Sequence, residues 1–285
     1  AEIGFGDTEG NIEDALKDDD LANLREDERF AGIVKYMKDR NKATEAYWSE
    51  PLIHIPASLK DVEKVPVLVV LHDMNETKQQ VFDSGWKELC DELGMVLIAP
   101  GAMLPSGLNI QEGATWFKNI NLYMTRYWTF EEPITKGFDA LKEKGKKLAR
   151  GQVFLTGVGQ GGFVGFTAAL RAPSRYRGAV VFDTAMAFQA IASKGPKAGE
   201  AGFSAAIYVS DSMFGVPPTE VDAACEGQSP ALAAWKIGDK IHRMEKMEKT
   251  EDMNAARLAL VKGRIQEWRK PAPKEEEAAE AESPK

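Results

Sequence analysis

Three groups of residues in this chain carry the pattern of acyl-transfer chemistry: a glycine-rich turn at 157–162, three histidines, and carboxylates that follow apolar runs. The turn reads Gly157-Val158-Gly159-Gln160-Gly161-Gly162. Before it, Gln152-Val153-Phe154-Leu155-Thr156 predicts a buried strand; after it, the small apolar run Phe163 to Leu170 predicts a packed helix. Strand, glycine-rich turn and helix are the setting in which G-x-S-x-G holds a nucleophilic serine on a strained turn. Here the frame is G-x-G-x-G. The nucleophile position is Gly159, which has no side chain to attack with. The backbone N–H of Gln160 takes the place of the oxyanion donor that follows the nucleophile. Such donors at a helix N-terminus bind an oxyanion or a carboxylate without any serine.

The segment Leu155 to Ala179, LTGVGQGGFVGFTAALRAPSRYRGA, resembles the elbow region of the α/β-hydrolases. It is similar to phospholipase/carboxylesterase and polyhydroxybutyrate-depolymerase-like esterases, whose elbow commonly reads G-F-S-Q-G-G. The run Val67 to His72 is similar to the family strand that ends in His-Gly beside the oxyanion hole, and Glu92 to Pro100 to its next strand. Ala205 to Val209 corresponds to the strand before the acid. The resemblance covers about residues 50 to 270. It implies an α/β-hydrolase fold, a mainly parallel sheet with helices on both faces, and a site built from nucleophile, acid and histidine in that chain order.

Each position departs from the family pattern. His72 falls on the oxyanion strand, where it would line the binding cleft rather than act as base. The residue after it is Asp73 instead of glycine, and a carboxylate there would repel a developing oxyanion. Asp211 is the first carboxylate after Ala205–Val209; it reads either as the acid or as a cap on the next helix. His242 comes in the right order for the base, but its context, Lys240-Ile241-His242-Arg243-Met244, suits a charged surface helix equally well. His54 reads as a satisfied histidine in an early strand. Trp116, with Phe117 and the aromatics from Tyr123 to Phe130, would line one rim of the cleft in the resembled family, or pack as core.

Composition narrows the alternatives. Lys and Arg number 36 against 44 Asp and Glu, a net charge of −8 with the signs interleaved. That excludes the basic stripe of a nucleic-acid binder. No apolar run is long enough to span a bilayer. The histidines show no metal-ligand spacing, and the glycine-rich turn lacks the Lys-Ser/Thr of a phosphate loop, so neither metal nor cofactor is expected. Cys90 and Cys225 lie outside any C-x-x-C and read as unpaired thiols. The chain starts Ala1-Glu2, a pair that signal-peptidase cleavage can leave, which leans toward a periplasmic or secreted protein.

The surrounding elements complete the expectation. Residues 1–43 read as a helical extension; Phe30, Ile33, Val34 and Met37 form an amphipathic stripe. Ala15 to Phe30 resembles the terminal segment of a tetratricopeptide array, but without a second copy it reads as a helix packed on the main domain. Residues 44–269 read as an α/β-hydrolase-like domain. Strands are expected at Ala46–Trp48, Leu52–Pro56, Val65–Leu71, Met95–Ala99, Gln152–Leu155, Ala179–Phe182 and Ala205–Val209. Helices are expected at Lys78–Leu93, Glu131–Ala149 and Met253–Trp268. Residues 270–285, rich in Pro, Ala and Glu, read as a disordered acidic tail. The functional expectation is an esterase-like homologue without its nucleophile that binds or scaffolds, with a small-molecule or acyl ligand, or a protein partner at the N-terminal helix. The alternative is a carboxylic ester hydrolase whose position 159 was changed from serine or is bypassed by water activated through His242.

Overall fold

A computed structural model describes residues 9–107, 109–184, 195–210, 218–238, 241–244 and 250–269. Seven strands form one sheet in the order β1-β3-β2-β6-β7-β8-β9. They are β1 (Leu52–His54), β2 (Lys64–Leu71), β3 (Val96–Ala99), β6 (Lys147–Val158), β7 (Gly178–Phe182), β8 (Ser204–Ser210) and β9 (Ile241–Met244). Two-residue strands β4 (Leu104–Pro105) and β5 (Ala114–Thr115) pair separately. Among the described residues of the seven-stranded sheet, β1 runs antiparallel to β3, and β2, β3, β6, β7, β8 and β9 are parallel. Val67–Leu71 and Val153–Leu155 are almost wholly buried, as strands covered on both faces must be.

Alternation along the strands divides the core in two. Val67, Val69, Leu71, Val153 and Leu155 face one layer, against the helices Glu132–Glu143 and Gly159–Arg171. Leu68, Val70, Phe154, Phe182 and Tyr208 face the other, against the helical stretch 78–93 and the closing helix Thr250–Arg269. The stretch 78–93 starts on a capping box between Thr77 and Gln80 and kinks at Gly85. The connection from β2 leads to β3 on one side and that from β6 leads to β7 on the other. The crevice between β2 and β6 is therefore the topological switch point, where open α/β sheets place their ligands.

Three local expectations change. Ala46–Trp48 is not a strand but the last turns of a helix, Glu28–Ser49, which also spans the expected boundary at 43/44. Met37, Arg40, Thr44 and Tyr47 are its buried residues; their spacing of three and four is a helix face. The helix expected to reach Ala149 stops at Glu143, because Gly145 turns the chain at φ 74°, and Lys147 and Leu148 already pair with Lys64 and Val65. The charged stretch around His242 is strand β9, not helix: it adds to the edge of the sheet through Tyr208↔His242.

The helix Glu28–Ser49 docks on the domain. The Tyr47 hydroxyl accepts from the Lys78 N–H at 2.8 Å, and the Lys78 ammonium donates to the carbonyls of Tyr47 and Glu50, each at 2.5 Å. Arg40 donates to the Gly107 carbonyl at 3.1 Å. Residues 1–8 and the tail 270–285 lie outside the described residues.

Candidate functional site

The carboxyl ends of β2 and β6 lie side by side, with Leu71 opposite Gly157. Past these ends come Asp73 on one side and Gly159 on the other. Gly159 has φ 51°, in the left-handed region that glycine adopts without strain, and it begins the helix Gly159–Arg171. The space beyond its Cα is filled: a Cβ there would overlap the carboxylate of Asp73. Gly161 is required for a second reason, since a Cβ there would meet the carbonyls of Leu71 and His72. The turn sits directly on the end of β2.

The Gln160 N–H donates to Asp73 Oδ1 at 2.9 Å, and the Met74 N–H donates to the same oxygen at 2.6 Å. The first turn of a 13-residue helix adds its dipole to this attraction. The N–H expected to serve an oxyanion thus holds a carboxylate of the chain itself. The Gln160 side chain is fixed as well. Its Oε1 accepts from Thr115 Oγ1 at 2.7 Å and from the Trp116 N–H at 3.1 Å, and its Nε2 donates to the Phe117 carbonyl at 3.0 Å.

Asp73 is held from behind. Its N–H donates to Glu76 Oε2 at 2.9 Å. His72, 1% exposed, shares one hydrogen bond with the Asp73 carbonyl through Nδ1 at 2.7 Å and accepts the Ala102 N–H at Nε2 at 3.0 Å. That pair fixes a neutral ring with its proton on Nδ1. Burial pushes its pKa down to about 4, so it stays neutral at ordinary pH. The indole N–H of Trp116 donates to the His72 carbonyl at 2.8 Å, and the two rings lie 5.2 Å apart. His72 and Trp116 therefore stand beside the turn as a buried, fully partnered support. Phe117, Tyr123 and Phe163 pack together behind them as core.

The other expected members lie elsewhere. His242 occupies β9, in one row of the sheet with Val158, Phe182 and Tyr208. Three strand spacings separate it from Val158, roughly 14 Å. Its ring stacks on Tyr208 at 5.0 Å, and its Nε2 is 3.1 Å from Arg264 Nη2. The structure does not bring it to Gly159. Asp211 lies outside the described residues, and the side chain of Cys225 is likewise not described. His54, on edge strand β1, bonds Asp91 at 2.8 Å. Cys90 is a buried free thiol whose pKa burial pushes up.

Sequence reasoning did not single out Asp183. It follows β7 with φ 48° and accepts from the N–H and hydroxyl of Ser210, at 2.6 and 2.7 Å, and from Arg257 at 3.2 Å. The available signal was a carboxylate directly after the apolar run Ala179–Phe182. Among the described residues no group of three His, Cys, Asp or Glu side chains is placed to hold a metal ion, and no helix is long and apolar enough to cross a membrane.

The comparisons with known proteins agree with this architecture. No protein-family model matches the sequence, and no curated protein is similar to it in sequence. Among solved structures it is similar to esterase PE8, at 16% identity and a TM-score of 0.54, over 75% of this chain and 98% of that one. It is similar to a ferulic acid esterase at 14% identity and a TM-score of 0.52, over 76% and 91% of the two chains. An S-formylglutathione hydrolase from Agrobacterium tumefaciens matches at 15% identity and a TM-score of 0.50, over 76% and 88%. The chain has the α/β-hydrolase fold, with esterases among its structural neighbours.

Proposed function

We propose that this chain is an esterase-like α/β-hydrolase homologue that has lost its nucleophile and works by binding or scaffolding. The observation that carries the reading is the carboxylate of Asp73, seated beside Gly159 and holding the Gln160 N–H. Ester hydrolysis on this fold needs an attacking oxygen at position 159 and free donors for the charge that develops on the carbonyl oxygen. Here position 159 is glycine, a donor is occupied, and the occupant carries a negative charge that opposes an oxyanion. The placement of His242 supports the same reading, because a base must reach the proton that it removes. Ile33 and Tyr36, exposed on the docked helix Glu28–Ser49, favour a protein partner there as a second mode of action.

The purified full chain should neither hydrolyse short p-nitrophenyl esters above the buffer rate nor become labelled by a fluorophosphonate. Gly159→Ser should stay inert, since the new side chain meets Asp73 and finds no imidazole. Gly159→Ser with Asp73→Gly frees the seat and should show at most the modest rate that donors and binding supply without a base. Turnover and labelling of the unaltered chain would overturn the proposal in favour of a working ester hydrolase.

A further inference from the structure

A second feature lies beside the turn. A cavity of about 440 Å³ opens at the ends of β2 and β6, on the face covered by the helical stretch 78–93 and the closing helix. This is within the range of small-molecule sites. Its base is buried and mainly apolar, from Val70, Trp86 and Thr156. Its mouth carries the exposed residues Glu76, Gln80 and Glu251.

Two residues of the lining each carry a buried polar atom without a partner among the described residues: Thr156, 0% exposed, at its hydroxyl, and Arg257 at Nε. Buried polar atoms are nearly always hydrogen-bonded, so an orphan in a cavity wall points to an occupant that partners it. The guanidinium on the lining is already compensated, because Arg257 is paired with Asp183 at 3.2 Å. A carboxylate ligand would pass two carboxylates at the mouth to reach a guanidinium that is already neutralised. An ammonium ligand would give up water for an apolar base whose polar group is a hydroxyl.

We infer that this cavity binds an uncharged, mostly apolar molecule with a single hydrogen-bonding group, such as a medium-chain alcohol or amide. The inference deepens the reading of the chain as a binding protein and rests on it. The apolar part fills the space between Val70, Trp86 and Leu258, and the polar group meets Thr156.

The experiment uses the full chain and the neutral fluorophore N-phenyl-1-naphthylamine, displaced by 1-octanol, octanoate or octylammonium. Octanol should displace the fluorophore at about tenfold lower concentration than either ion. Thr156→Val should weaken octanol by about tenfold, the worth of one hydrogen bond in a buried site. Ala255→Trp, at an exposed helix position on the rim, should abolish fluorophore binding; Leu258→Trp fills the same space from the wall should the first variant not fold. Equal displacement by either ion, octanol binding unchanged in Thr156→Val, or fluorophore binding that survives both tryptophans would overturn the inference. A parallel titration with p-nitrophenyl octanoate separates the two proposals. Binding with turnover removes the non-catalytic reading and keeps the site. Failure to bind removes the site and leaves the non-catalytic reading standing.

Discussion

Gly159 and Thr156 are three residues apart on one chain, at the same end of the same sheet, and their surroundings treat polar groups in opposite ways. Around Gly159 the turn is satisfied from within: the Gln160 N–H, the Gln160 amide, the His72 ring and the Asp73 carboxylate all have partners in the chain. Around Thr156 a cavity is left, and a buried hydroxyl has no partner among the described residues. The difference lies in which face of the sheet the residues serve. One face closes on the helix Gly159–Arg171 by backbone contact. On the other, the stretch 78–93 and the closing helix touch where Asn254 donates to the Ser84 carbonyl, yet they line a cavity between them. The contrast teaches that two residues three positions apart at one end of a sheet can differ completely in how their polar groups are satisfied.

The sharpest way to break the contrast is Gly159→Ala. A Cβ meets the Asp73 carboxylate, and alanine must adopt φ 51°. Together these should cost roughly 2–5 kcal/mol in denaturant unfolding. Adding Asp73→Gly should recover the part due to overlap, and simple additivity of the two changes would mean that they do not touch.

Acid probes the support of the same turn. The folded pKa of His72, about 4, lies below the unfolded value near 6.5, so the folded chain binds fewer protons between them. Its contribution is intact above about pH 6.5 and is lost as the pH falls toward 4. The loss amounts to about 3 kcal/mol over that window. His72→Gln cannot charge; it should be less stable at neutral pH but show a flatter decline in acid. Parallel acid profiles for the two proteins would mean that the ring is not held neutral.

The smallest effect has the opposite sign. Thr156→Val removes the unpartnered hydroxyl with little change in shape and, without ligand, should stabilise the fold by about 1 kcal/mol. A loss of stability would show that the hydroxyl is satisfied and would bring the two regions closer in kind.

Much of this arrangement is legible in the residues. The runs Val65–Leu71, Gln152–Leu155 and Ala179–Phe182 announce buried parallel strands because both faces are covered and alternation vanishes. The glycines at 157–162 mark the close approach of the turn to β2. What pattern does not carry is the partner across space. The sequence marks Asp73 as hostile to an oxyanion, but nothing in it says that the carboxylate would reach Gln160, 87 residues away in the chain. His242 looks right in order and shares a row with Val158, but it lies three strands away across the sheet, because chain order does not fix where across the sheet a strand is added. Tyr47 reads as strand because β-propensity is local, while burial against Gly101 and Lys78 decided for helix.

On the proposed reading, the Asp73 carboxylate acts at Gly159 as a built-in inhibitor. An ester hydrolase ends each cycle with an acid product beside its oxyanion donors, and the product must leave before the next substrate enters. Asp73 holds that pose on a tether of one residue from the end of a strand, with two backbone N–H groups on a single oxygen. Its effective concentration at the site is far above that of any dissolved carboxylate, so acetate or a fatty acid added in solution should not displace it. On the proposed reading, the chain carries a mimic of a hydrolase's acid product within its own sequence.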